Sequence, residues 1–135
     1  KEIRFYYGAY PGWNSDLEND ASGIGLATLP RDRFVAIEPT VSIAQATLKP
    51  VELGNMKRLT INADATGGEV RVELLTAEGY RVAGFTRDHS IAITGDSLQH
   101  PVKWNGKTMA DVEAGRYQLR IHLNNSKLFA LTIKQ

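Results

Sequence analysis

The chain has no cysteine. Disulfides, thiolate metal sites and a cysteine nucleophile are therefore excluded. It has no excess of either charge: 16 basic against 15 acidic residues leave +1. A dedicated duplex-DNA binder, which needs a strong phosphate-neutralising surface, is not expected. No apolar run approaches membrane-spanning length, and no signal-peptide pattern opens the chain. The first residue is Lys1, which suggests a processed protein or a piece of a longer one. No segment keeps a helical period over several turns, and there is no internal repeat or low-complexity tract. His89, His100 and His122 lack metal-ligand spacing, so a zinc site is not expected.

What is present is strand periodicity. Leu59, Ile61 and Ala63 alternate with Thr60, Asn62 and Asp64. Val70, Val72 and Leu74 alternate with Glu69, Arg71 and Glu73. Leu119, Ile121 and Leu123 alternate with Arg120, His122 and Asn124. Each segment has one buried and one wet face, the pattern of antiparallel sheets. With 135 residues and 42% hydrophobic residues, the chain suits a single soluble domain with a real core. The expected fold is an all-β, antiparallel, jelly-roll-like sandwich spanning residues 1–135.

Further strands are expected at Ile3–Tyr7, Ile24–Leu29, Phe34–Ile37 and Val102–Trp104, with an edge segment over Ala46–Leu53 interrupted by Pro50. Thr66-Gly67-Gly68 reads as a hairpin turn with glycine at positive φ. Asn124-Asn125-Ser126 reads as the turn of a final strand pair. Arg81–Gly95 is irregular, and Asp111–Gly115 holds at most one helical turn.

Several stretches carry a resemblance. They are FYYGAYPGWN at Phe5–Asn14, GIGLATLPRDRFVAI within Ser22–Glu38, GEVRVELL, ITGDSLQHPVKWNGK and YQLRIHLNNSKLFALTI. Together they resemble the C-terminal β-sandwich region of bacterial five-bladed-propeller proteins of the glycosidase type. The resemblance implies an exported polysaccharide-processing context, secreted, periplasmic or on the cell surface. It also implies that residues 1–40 form a junction with a propeller. The acidic catalytic residues of such proteins belong to the propeller, so an activity is not carried over.

Candidate ligand contacts follow from side-chain chemistry. Tyr10 and Trp13 could stack on the C–H face of a sugar; otherwise they anchor their loop. Arg31, Arg87, His89 and Lys103 sit in turns, where basic groups can meet carboxylates or sulfates. Arg120 and His122, with Asn124, line one strand face; the plain alternative is an ordinary solvent face. If Val102 points inward, Trp104 belongs to the core and Lys103 points out. Asp16, Glu18 and Asp20 alternate as calcium-ligating oxygens can, but an EF-hand loop would need a carboxylate where Ala27 stands. Acidic solvation is the simpler reading there, with a structural calcium as the alternative; no cofactor is expected. Gly95-Asp96-Ser97-Leu98 matches an esterase motif out of context. A turn role for Asp96 and Ser97 fits better.

The expected function is non-catalytic: a module that holds a polysaccharide-degrading catalytic domain of the same chain on an anionic polysaccharide. The alternative is an accessory domain that packs on a propeller and binds no glycan. No nucleic acid or membrane partner is expected.

Overall fold

The computed structural model describes residues 2–9 and 22–135. Tyr10, Trp13 and the acidic loop of Asp16, Glu18 and Asp20 lie outside the described residues. The chain forms two compact units, Lys1–Arg33 and Phe34–Gln135. Among the described residues there is no α-helix, and every strand pairing is antiparallel.

The first unit holds strands β1 (Glu2–Ala9) and β2 (Gly23–Pro30), paired from Glu2↔Pro30 to Ala9↔Gly23. Tyr7 faces Gly25 across the ladder, and its ring occupies the space where a side chain on Gly25 would stand. An aromatic ring so covers the glycine backbone that would otherwise weaken the strand.

The second unit is one six-stranded sheet, consisting of β3 (Ile43–Thr47), β4 (Val51–Leu53), β5 (Arg58–Thr76), β6 (Ile93–Pro101), β7 (Gly115–Asn124) and β8 (Lys127–Lys134). The path runs β3–β7–β5–β6, with β4 also on β7 and β8 also on β5. The described strands do not by themselves trace a jelly roll. Pro50 separates β3 from β4, where a residue without an N–H is tolerated because both strands add only to β7.

Two expected turns are absent. Thr66-Gly67-Gly68 lies inside the 19-residue β5, and neither glycine has positive φ. β7 and β8 do not pair with each other; both run along β5, β8 on its first half and β7 on its second. Asn125, at φ 41°, bends the chain between them without reversing it. The two apparent turns therefore stand opposite one another in a long ribbon that bends at its middle. Gly68 is required there by closeness: a Cβ on it would collide with the Asn124 carbonyl oxygen. Gly68→Ala should cost about 1–3 kcal/mol, the range for forced overpacking. Urea denaturation followed by circular dichroism measures it, and a cost below about 0.5 kcal/mol would contradict the close approach.

The bend also shifts the phase of the buried positions. Leu59, Ile61, Ala63 and Ala65 point inward on the first arm of β5, and Val70, Val72 and Leu74 on the second. The five-residue step from Ala65 to Val70 coincides with a register shift against β6. Both arms, with Leu119, Ile121, Leu123 and Leu128, enter one core. The sheet thus closes on a single apolar interior, as the inner faces of a β-sandwich do.

Trp104 lies in that core, as its alternation with Lys103 predicts. Its indole N–H donates to the Val72 carbonyl at 2.9 Å, and its ring meets Phe85 edge-on at 5.1 Å. Other local expectations are revised. Phe34–Ile37 is not a strand; Ile37 makes a single bridge to Leu128. Val102–Trp104 contributes only isolated bridges, Ser90↔Trp104 and Trp104↔Lys107. Asp96 and Ser97 stand in β6, so the strand begins inside the stretch expected to be irregular. The one helical turn is a 3₁₀ turn at Met109–Asp111, closed by a Thr108–Asp111 capping box.

Candidate functional site

The outer face of β3, β7 and β5 is where the register gathers polar side chains. Alternation sends Ala44, Leu123 and Val70 inward, as it does Ala46, Ile121 and Val72. The residues between them form three rows across the sheet. These are Thr47–Arg120–Glu73, Gln45–His122–Arg71 and Ile43–Asn124–Glu69. Neighbouring strands lie about 4.8 Å apart and like-facing residues about 6.7 Å apart along a strand, so the grid measures about 10 by 13 Å. Eight of the nine positions are polar.

Glu73 holds the grid together. Its side chain is fully buried. Oε2 accepts a hydrogen bond from His122 Nε2 at 2.9 Å and lies 4.0 Å from Arg120 Nη1. Oε1 is 3.0 Å from Arg81 Nε, an ion pair by distance whose N–H direction makes no hydrogen bond. Arg120 also donates to Thr47 Oγ1 at 3.0 Å.

The neighbouring row is built in the same way. Arg71 donates from Nε to Glu69 Oε1 at 2.9 Å and from Nη1 to the Ser90 carbonyl at 2.7 Å. The Arg71 hydrogen bond to Glu69 is the main reason that the Glu69 carboxyl is held below its ordinary range; burial opposes it, and the charges of Arg71 and Arg87 assist. The Arg71 guanidinium is raised for the reciprocal reason. A narrow cleft of about 40 Å³ opens between Ile43, Glu69, Arg71, Arg87, His122 and Asn124. Arg87 adds an exposed cation to the side of the grid beyond β5.

Of the residues expected from sequence, Arg120 and His122 sit together on this face and Arg87 joins them at its edge. His89 lies in the adjoining turn, its Nδ1 at 2.8 Å from Thr86 Oγ1. Lys103 lines a separate hollow. Arg31 belongs to the first unit and pairs with Asp32 at 3.3 Å. Glu73, Glu69 and Arg71 were not candidates in the sequence. The available signal was that two segments, 69–73 and 120–124, carry polar residues in the same strand phase.

Among the described residues no group of three or more His, Cys, Asp or Glu is placed to hold a metal. No helix among them is long and apolar enough to cross a membrane. Ser97 lies in a strand, its Oγ accepting from the Gln99 N–H at 3.1 Å, and not on the strand-to-helix turn that activates an esterase serine.

Comparison with protein-family models, with curated proteins and with solved structures found no match.

Proposed function

We propose that this protein is a non-catalytic carbohydrate-binding module, and that the β3–β7–β5 face takes an anionic polysaccharide. The observation that carries this reading is the three-by-three grid. Three of its basic side chains are fixed before any ligand arrives, Arg120 and His122 by Glu73 and Arg71 by Glu69 and Ser90. Pre-ordering lowers the entropic cost of binding. A flat array of guanidinium, imidazole, amide and hydroxyl groups suits a ligand rich in hydroxyls. Arg87 at its edge, whose guanidinium makes no ion pair among the described residues, adds selectivity for carboxylate or sulfate. In this reading the module is exported. It raises the local concentration of polymer around a catalytic domain in a longer parent chain and does no chemistry itself.

A second reading rests on a different observation. Phe34, Val35, Val41 and Ile43 are 63%, 75%, 87% and 71% exposed. Exposed apolar runs mark packing surfaces. This one suits an accessory domain that sits against a propeller and binds no glycan.

Affinity electrophoresis in gels containing neutral or anionic polysaccharides separates the two. Under the first reading an anionic polymer retards the wild-type protein, and retardation falls as salt rises, because screening acts over about 10 Å at 0.1 M. Gln45→Ala and Arg87→Ala, both at exposed positions, should each weaken it about tenfold, the scale of a hot-spot contact. If no polysaccharide retards the wild type, the packing reading takes over. Salt-insensitive retardation by a neutral polymer alone would remove the anionic assignment.

A further inference from the structure

A second basic surface lies at the other end of β5. There a hollow of about 530 Å³ opens between Lys57–Leu59, Pro101–Lys103 and Thr108–Met109. Its walls are tied together. The Val102 N–H donates to the Leu59 carbonyl at 3.0 Å, and the Lys57 N–H to the Lys134 carbonyl at 3.0 Å. Its base is made by Leu59, Val102 and Met109, all buried in the core, with Pro101 beside them.

The rim carries Lys57, Arg58 and Lys103, all exposed. Like Lys49, Arg87 and Lys134, and unlike six of the chain's arginines, they carry charge that no ion pair among the described residues balances. Arg71, Arg81, Arg116 and Arg120 each pair with a glutamate, and Arg4 and Arg31 each pair with an acid beside them. Among the described residues Lys57, Arg58 and Lys103 have no ion pair and no side-chain hydrogen bond. No acid lines the hollow. The nearest in sequence, Asp111, is occupied by the capping box. Its Oδ2 is 2.7 Å from the Thr108 N–H and 3.0 Å from Thr108 Oγ1, contacts that hold its carboxyl below the ordinary range.

We infer that this hollow is a binding site, separate from the grid, for a sugar bearing a tetrahedral oxyanion ester. Three cations around one opening match an anion with three outward oxygens better than a planar carboxylate with two. The volume lies in the range of small-ligand pockets and exceeds what a lone oxyanion needs. The apolar base has no polar partner to offer and receives the C–H face of a ring. Sulfate and phosphate esters share this chemistry, and the probes below distinguish them.

The test is isothermal titration of the whole protein with glucose 6-sulfate, glucose 6-phosphate, glucose and inorganic sulfate. At least one ester should bind, the tighter one naming the source of the oxyanion. Glucose and inorganic sulfate should bind at least tenfold more weakly. The triple variant Lys57→Gln/Arg58→Gln/Lys103→Gln should lose at least tenfold in affinity while its melting temperature holds, since all three side chains are exposed. A second triple variant, Lys49→Gln/Arg116→Gln/Lys127→Gln, removes the same charge elsewhere and should stay within twofold. Failure of both esters to bind overturns the proposal. So does an equal loss in the two triple variants, which would reduce the effect to net charge. Inorganic sulfate binding as tightly as the esters also overturns it. Arg87→Ala should leave ester binding unchanged, so the hollow and the grid can fail independently.

Discussion

Truncating Glu73 to alanine should lower the unfolding free energy by about 3–5 kcal/mol, the range for removing one partner from a buried charge cluster. The carboxylate is fully buried, and it is the common partner of Arg81, Arg120 and His122. Without it, the half-buried Arg120 loses its counter-charge, His122 Nε2 loses its hydrogen-bond partner, and a void opens between them. Glu73→Gln keeps the shape and an acceptor oxygen, so it should cost less, about 1–2 kcal/mol, on the scale of a charge-assisted bond exchanged for a neutral one. Urea denaturation of both variants checks the order. An alanine variant within about 1 kcal/mol of wild type would mean that the cluster contributes no stability. One Glu73 oxygen lacks a well-aligned hydrogen bond, so a stronger cluster could have been built. The residue fits a positioning role better: it holds an imidazole and a guanidinium at fixed places on an outer face.

Trp104→Ala should be equally severe, at about 3–5 kcal/mol for loss of a large core aromatic. The ring is 1% exposed and packs edge-on against Phe85. Two costs combine. The cavity loses its packing contacts, and the Val72 carbonyl loses the indole N–H that donates to it across 32 residues of sequence. Trp104→Phe isolates the second cost, because it refills much of the cavity but cannot donate; about 1–2 kcal/mol is expected for that lost bond. Denaturation midpoints of the two variants decide it. Equal losses would show that the hydrogen bond carries the effect and the volume does not.

Strand phase was legible in the sequence. Alternation picked out the inward residues of β5 and β7 and put Trp104 in the core. It also placed Arg120, His122 and Asn124 on one face. Two things were hidden. The first was chain direction at Thr66–Gly68 and at Asn124–Ser126. Gly-Gly and Asn-Asn-Ser are turn signals locally, but here each serves the other. Gly68 leaves room for the Asn124 carbonyl, and Asn125 supplies the bend. Periodicity reports which face a residue takes, not whether the chain reverses. The second was pairing between distant segments. The importance of Glu73 depends on a contact with His122 across 49 residues, and nothing near either residue encodes that register. The Lys57, Arg58 and Lys103 cluster was hidden for the same reason.

β5 has a kinetic consequence. It pairs with β6, β7 and β8, and β7 in turn carries β3 and β4. The sheet of the larger unit is not complete until β5 has met partners that come later in the chain. The Arg120–Thr47 bond, for instance, closes 73 residues. Loop closure over such spans must be met before the contacts repay it, which makes folding slow compared with a helical bundle of similar size. While the ribosome is still extending the chain, β5 therefore exposes an alternating apolar face and two open edges. In this interval the charged residues of its outer face, Glu69, Arg71 and Glu73, oppose edge-to-edge association.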